Sequence, residues 1–277
     1  MTGSNFSDFR GGRTHFLHTK GQKRKPAKRG VYKTVNSHNR LSCCGCSCIL
    51  CCYVILWHQT NLQIRIHEGA VMYKKDYFKD DEYWKRHIHD ELEEDMWIDD
   101  YRSSLPQGGL ALDLGCGLGQ YSRRLMEYGY SVIPADISEL AINEVLRFNA
   151  NAVCVDMRER LPFEDSWFDL VFANLSIHFF SDRETRALIS EVERILKPDG
   201  VFAGTVNGLQ GIKVMKEIAD EVEPHYYVSR KDGRHIRLFD RADLERYLSG
   251  FDKVEIAERE IVRYGNVKNY LIFIGRV

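Results

Sequence analysis

From Met72 onward the chain has little cysteine, only Cys116 and Cys154, which excludes a disulfide framework and reads as a reduced, cytosolic protein. The body also has no internal repeat and no low-complexity stretch, which argues against a solenoid or a fibre. The chain as a whole lacks net charge, with a formal value of -1, and 44% of its residues are hydrophobic. That is the balance of a globular protein with enough apolar residues for a core.

The near-neutral total hides a division. Residues 1–71 hold eleven Lys and Arg against two Asp and Glu, a net of +9, and residues 72–277 hold 28 against 38, a net of -10. Six of the eight cysteines (Cys43, Cys44, Cys46, Cys48, Cys51, Cys52) fall in the basic head. The first forty residues are polar and basic and read as disordered. The apolar run Leu41 to Trp57 that follows admits a short signal anchor, an acylated or in-plane membrane contact, or a thiolate metal cluster. An anchor with Lys23 to Arg29 held inside would export the body, and the cysteine spacing lacks the paired C-x-x-C knuckles of structural zinc. Charge, cysteine content and periodicity all change at Met72, and the codons of Glu68-Gly69 can spell a ribosome-binding sequence. The expectation is therefore a natural start at Met72, with residues 1–71 an extension and 72–277 one domain.

Aromatic and apolar residues at three- and four-residue spacing between Tyr73 and Tyr101 predict one or two amphipathic helices. Apolar strands then alternate with amphipathic helices. Strands are predicted at 110–114, 131–135, 152–155, 168–173 and 201–206, and helices at 121–128, 139–148 and 183–196, the last stopped by the "KPDG" turn. This rhythm predicts an α/β fold, a mostly parallel sheet with helices on both faces. Beyond Val206 the pattern gives a helix over 212–222, a polar stretch over 223–237, a short helix ending at Gly250, and two strands at 253–257 and 269–274 that pair antiparallel.

The chemistry gathers at strand ends. "ALDLGCGLGQ" has G-x-G-x-G, not the G-x-G-x-x-G of a dinucleotide site, and Asp113 beside it would repel a pyrophosphate. The loop suits a cationic ligand without phosphate, and S-adenosylmethionine fits: Gly115 and Gly117 admit its amino-acid end. Asp136, ending the second strand, is placed to accept both ribose hydroxyls. Asp156, ending the third, is placed to accept from the adenine amino group with Met157 facing the ring, and Asn174 ends the fourth where the methyl would project.

Four segments in order, "LDLGCGLGQ", "VIPADIS", "VCVDMRERLPFEDSWFDLVFANLSIHFF" and "ILKPDGVF", resemble the class I S-adenosylmethionine-dependent methyltransferases from about Tyr77 to Val277. The resemblance implies a Rossmann-like seven-stranded methyltransferase sheet with an antiparallel last strand. It also implies S-adenosylmethionine as cofactor, held by Asp113, Gly115, Cys116, Gly117, Asp136, Ile137, Asp156, Met157 and Asn174. Cys116 is read as a loop filler, since no base flanks it. His178 is the candidate general base if the nucleophile starts protonated.

The acceptor is expected to be a small molecule in the cytoplasm. No N-P-P-Y tetrad or Pro-Cys nucleophile follows the fourth strand, and the acidic body disfavours DNA. The segment 223–240, with His225, Tyr226, Tyr227, Arg230, Arg234, His235 and Arg237, is the expected substrate lid, and the closing residues have a short likeness to tellurite-resistance methyltransferases. Two other readings stay open on sequence, a nicotinamide-dependent oxidoreductase and a non-catalytic or membrane-tethered binding protein.

Overall fold

The computed structural model describes residues 80–87, 96–263 and 266–277. The run Leu41–Trp57, the boundary at Met72 and the aromatic positions before Asp80 lie outside the described residues. Among the described residues no helix is long and apolar enough to cross a membrane.

Helix α1 (Asp80–His87) is followed by two short 3-10 turns, Trp97–Asp99 and Arg102–Ser104. The alternating body then runs β1 (Gly109–Leu114), α2 (Gln120–Glu127), β2 (Tyr130–Asp136), α3 (Glu139–Val145), β3 (Val153–Cys154), β4 (Phe168–Asn174), α4 (Asp182–Ile195) and β5 (Leu196–Asn207). After it come α5 (Ile212–Ile218), β6 (Ala219–Glu223), β7 (Tyr226–Ser229), β8 (His235–Arg237), α6 (Arg241–Tyr247), β9 (Lys253–Arg263) and β10 (Asn266–Arg276).

The main sheet has the order β3-β2-β1-β4-β5-β10-β9. β1 pairs in parallel with β2 and β4, β2 with β3, and β4 with β5, while β10 lies antiparallel between β5 and β9. This is the predicted sheet, including the inserted last strand. The order changes direction at β1, so the carboxyl ends of β1, β2 and β4 open onto one crevice, where ligands of such sheets bind.

β1 and β4 are nearly continuous apolar runs because both of their faces are covered. Leu112 and Val171 pack with Leu188, Val192 and Leu244 of α4 and α6 on one face. Ala111, Leu170 and Phe172 pack with Leu125 of α2 and with Trp97 and Ile98 on the other. α4 starts where Ser181 and Glu184 form a reciprocal capping box, and Asp240 and Asp243 do the same for α6. Each box satisfies amides that the first turn cannot.

Three local expectations are corrected. The helix predicted over 212–222 stops at Ile218, and Ala219–Glu223 is strand. The polar stretch over 223–237, in which no strand is predicted, contributes strands: β6, β7 and β8 form a separate antiparallel sheet in which β7 is central. Its polar residues lie mainly in β6 and in the turn between β7 and β8, while Tyr226 and Tyr227 of the central strand are buried, and Gly233 at φ +71 marks the hairpin turn. The "KPDG" turn lies inside β5 as an irregularity, with Asp199 at φ +63 and the β4 register shifting between Phe168 and Leu170.

Phe172 is fully buried, stacked on Trp97 with ring centroids 5.6 Å apart and against Tyr121 at 5.0 Å. Phe172→Ala is expected to lower the unfolding free energy in urea by about 3–5 kcal/mol, the usual cost of an aromatic cavity.

Candidate active site

The chain leaves β1 through Asp113 and Leu114, turns through Gly115 to Gly119, and enters α2. Where the loop's amides point decides what it can hold. Gly115 and Cys116 both donate to the carbonyl of Ala135, at 2.7 and 2.9 Å, and Gly119 donates to that of Cys116 at 2.9 Å. Gly117 donates to Oδ2 of Asp136 at 2.8 Å. A phosphate cradle needs such amides aimed at its ligand; these four are spent within the protein.

Two glycines are required here. Gly115 has φ +80, and a Cβ on it would stand 2.3 Å from Cβ of Ser176; Gly117 has φ +52, and its Cβ would stand 2.8 Å from the indole of Trp84. Both clashes show how closely other elements press on the loop. The Ser176 hydroxyl donates to the carbonyl of Leu114 at 2.7 Å, so the turn after β4 is fastened to the end of β1.

Asp113 lies beneath the loop, 2% exposed. Its Oδ2 accepts from the Ser122 hydroxyl at 2.5 Å, and the Ser122 amide adds a second bond. It thus fills the anion seat at the amino end of α2, where a pyrophosphate would otherwise go. Burial, opposed by the Ser122 bonds and aided by the nearby Asp136, pushes its pKa up to about 7.

Asp136 is also buried, and burial raises its pKa against the amide bonds it accepts. Oδ1 takes the Ser138 amide at 2.9 Å and Oδ2 the Gly117 amide at 2.8 Å. Each carboxylate oxygen keeps acceptor capacity, which matches a pair of adjacent hydroxyls.

Asp156 differs. Its Oδ1 accepts from the Arg158 amide and Nε at 3.0 and 2.9 Å, and its Oδ2 from Nε and a terminal nitrogen at 3.1 and 2.5 Å. An adenine amino group would share an acceptor already held by a guanidinium. Met157 is buried beside it, and its Cε would be 3.4 Å from a Cβ at Gly115. Ile137 is half-buried, its carbonyl accepting from the Cys154 thiol at 3.3 Å. Oδ1 of Asn174 accepts from Trp97 Nε1 at 2.9 Å and from the Thr205 hydroxyl at 2.7 Å, which orients the carboxamide and leaves its nitrogen as the donor.

Cys116 is half-buried, and burial followed by Asp136 and Asp113 pushes its pKa well above the thiol range, so it stays protonated. His178 is buried in the turn after β4. Burial alone pulls its pKa down to about 3, and its Nδ1 has no hydrogen-bond partner. It is a neutral imidazole across the physiological range.

The structure thus brings Asp113, Gly115, Cys116, Gly117 and Asp136 to one loop, with Asn174 and Met157 at the flanking strand ends. Sequence reasoning missed Trp84, Ser176, Trp97 and Arg158, each of which acts through a contact between distant segments or a local ion pair. Of the expected lid residues, several are spent on its own fabric. Arg230 pairs with Asp220 at 2.8 Å and Arg234 with Asp232 at 2.8 Å. Arg237, 2% exposed, binds Glu223 at 2.6 Å and the carbonyl of Phe180 at 2.9 Å. The Tyr226 hydroxyl donates to the carbonyl of Phe179 at 3.2 Å, so the small sheet is tied to the turn that carries His178.

Asp113 gives a pH signature. Between about pH 4, where an unfolded carboxyl ionises, and about pH 7, the native chain alone keeps this proton, so stability falls as pH rises through that window and levels above it. Asp113→Asn keeps an acceptor for Ser122 and removes the fall. In urea unfolding its advantage over the native residue is expected to grow by a few kcal/mol across the window, whereas a pH-independent difference would exclude a raised pKa.

A family model described as a methyltransferase domain matches residues 112–204. The mouse protein named arginine-hydroxylase NDUFAF5, mitochondrial, is 40% identical over 101 residues, which are 36% of this chain and 29% of that protein. The chain therefore spans less than a third of that relative. Among solved structures, the PH0226 protein of Pyrococcus horikoshii is 26% identical with a TM-score of 0.56, covering 72% of this chain and all of that one. An S-adenosylmethionine-dependent methyltransferase of Methanosarcina mazei is 24% identical with a TM-score of 0.55, covering 67% and 98% of the two chains. The matched model, the inserted antiparallel strand and the glycine loop agree: residues 112–204 carry a methyltransferase domain, and the sheet around them has the fold of an S-adenosylmethionine-dependent methyltransferase.

Proposed function

We propose that the chain is a cytoplasmic enzyme that transfers the methyl group of S-adenosylmethionine to a nucleophilic atom of a small molecule, with residues 1–71 outside the catalytic unit. The observation that carries the reading is the division of labour at the loop: four of its amides are committed inside the protein, while both oxygens of Asp136 retain acceptor capacity. Such a site rejects a pyrophosphate and accepts a vicinal diol.

The bound cofactor supplies a methyl group on a sulfonium, ready for in-line displacement. The protein has then to hold, orient and dry the reactants. Asp136 would hold the ribose, and Met157 and Ile137 would flank the adenine. Asp113 sits behind the loop and places negative charge near the cationic end whenever it is ionised. Asn174, fixed by Trp97 and Thr205, would present its amide nitrogen toward the transfer point. His178 is too weak a base to strip a proton from an alcohol or ammonium. Its role is to accept a hydrogen bond and shape the pocket, so the acceptor enters with its lone pair available. The acidic body supports a small-molecule acceptor over nucleic acid.

The test is release of S-adenosylhomocysteine from the full chain across a metabolite panel, read by mass spectrometry. Acceptor-dependent release is expected, and Asp136→Ala is expected to cut kcat/KM for the cofactor at least about tenfold, the loss of two charge-assisted hydrogen bonds. Hydroxylated product without demethylated cofactor would contradict the reading. His178→Gln is expected to lower kcat without removing any limb of the pH profile between pH 5 and 9; loss of such a limb would make His178 a titrating base.

A further inference from the structure

Helix α1 lies over the cofactor loop, and two contacts hold it there. Oδ1 of Asp81 accepts from the Ser138 hydroxyl at 2.7 Å and from the Leu140 amide at 3.4 Å, which seats α1 on the first turn of α3. Three residues on, one helical turn away on the same face, the six-membered ring of Trp84 presses on Gly117: a Cβ there would be 2.8 Å from Cζ2 and 2.9 Å from Cη2. Tyr83 buttresses this indole edge-on, with centroids 5.1 Å apart and planes at 81°. Trp84 is half-buried.

Gly117 is the point where the loop is tied to Asp136, the acceptor assigned to the ribose. The sulfonium of S-adenosylmethionine is bonded to C5′ of the ribose, so with the ribose hydroxyls on Asp136 the indole on Gly117 would lie within reach of the cation. An aromatic face attracts a cation through its quadrupole, most strongly for tryptophan and where water is excluded. Asp113 beneath the loop answers this charge only in part, because burial pushes its pKa up to about 7.

We propose that Trp84 is a wall of the cofactor site that reads the sulfonium charge, so that the site holds the methyl donor more tightly than the demethylated product. The inference rests on the methyltransferase reading above. S-adenosylhomocysteine differs from the donor by the methyl group and its positive charge while keeping the ribose, the adenine and the ammonium. A wall that only fills space serves both ligands nearly alike. One that answers the charge loses hold of S-adenosylmethionine selectively when its aromatic character is removed, and thereby helps to expel spent cofactor.

The experiment is calorimetric titration of S-adenosylmethionine and S-adenosylhomocysteine into the full chain and into Trp84→Leu, Trp84→Phe and Asp136→Asn. Leu keeps apolar bulk without a π face, and Phe restores one. Trp84→Leu is expected to weaken S-adenosylmethionine about tenfold, within the usual range of a partly desolvated cation–π contact, and to move S-adenosylhomocysteine less than about twofold. Trp84→Phe is expected to recover most of the loss. Equal losses for the two ligands, or none for the donor, would overturn the role of Trp84 while leaving the cofactor assignment intact, provided the unsubstituted chain binds both and Asp136→Asn weakens both. An unsubstituted chain that binds neither would overturn the methyltransferase reading and this inference with it.

Discussion

The bond from the Gly117 amide to the Asp136 carboxylate, 2.8 Å long, is the contact on which the site depends. It joins the loop after β1 to the end of β2, directly beside the point where the Ala135 carbonyl takes the amides of Gly115 and Cys116. Together these bonds fold the loop back onto β2 and turn its donors inward. A loop of similar composition with free amides would be an anion site; this one is a surface of glycine backbone bordered by carboxylates. The same bond fixes Asp136 without exhausting it, so an acceptor of defined direction faces the crevice.

That arrangement needs a rigid and largely apolar base, because two buried carboxylates are costly to keep in one place. β1 and β4 meet the need by burying apolar side chains on both faces, and Ser122 and Ser138 supply the polar contacts that the acids require. Burial still shows in the raised pKa of Asp113, where the protein trades a share of its stability at neutral pH for charge that can respond to a cationic ligand. The turn after β4, fastened through Ser176, brings Asn174 and His178 to the same edge. The site is thus assembled from three strand ends that the switch in strand order places side by side.

Much of this was legible in the sequence because strands buried on both faces leave near-continuous apolar runs, and each run in "GLALDL", "YSVIPAD" and "FDLVFAN" carries a polar residue at its carboxyl end or one place before it. The order of those ends follows from parallel topology alone. The small sheet was not legible as a sheet, since β6 and the exposed turn "RKDGR" are polar and outweigh the few apolar residues of the short strand "YYVS", although Asp232-Gly233 is the turn signal that marks its hairpin. Arg158 could not be foreseen as the partner of Asp156, because a basic residue two places from an acid more often reaches solvent. Trp84 is one of several aromatics at helical spacing between Tyr73 and Tyr101, a pattern that by itself signals only an amphipathic helix; the three-dimensional contact with Gly117 separates it from the rest.

The central claim is that the glycine loop receives a cationic, phosphate-free nucleoside. It is tested most directly by calorimetric titration of the full chain with S-adenosylmethionine and, separately, with NAD. The account predicts saturable one-to-one binding of S-adenosylmethionine and no heat of binding from NAD. Binding of NAD without binding of S-adenosylmethionine would contradict it and would mean that the loop, for all its committed amides, still finds room for a pyrophosphate.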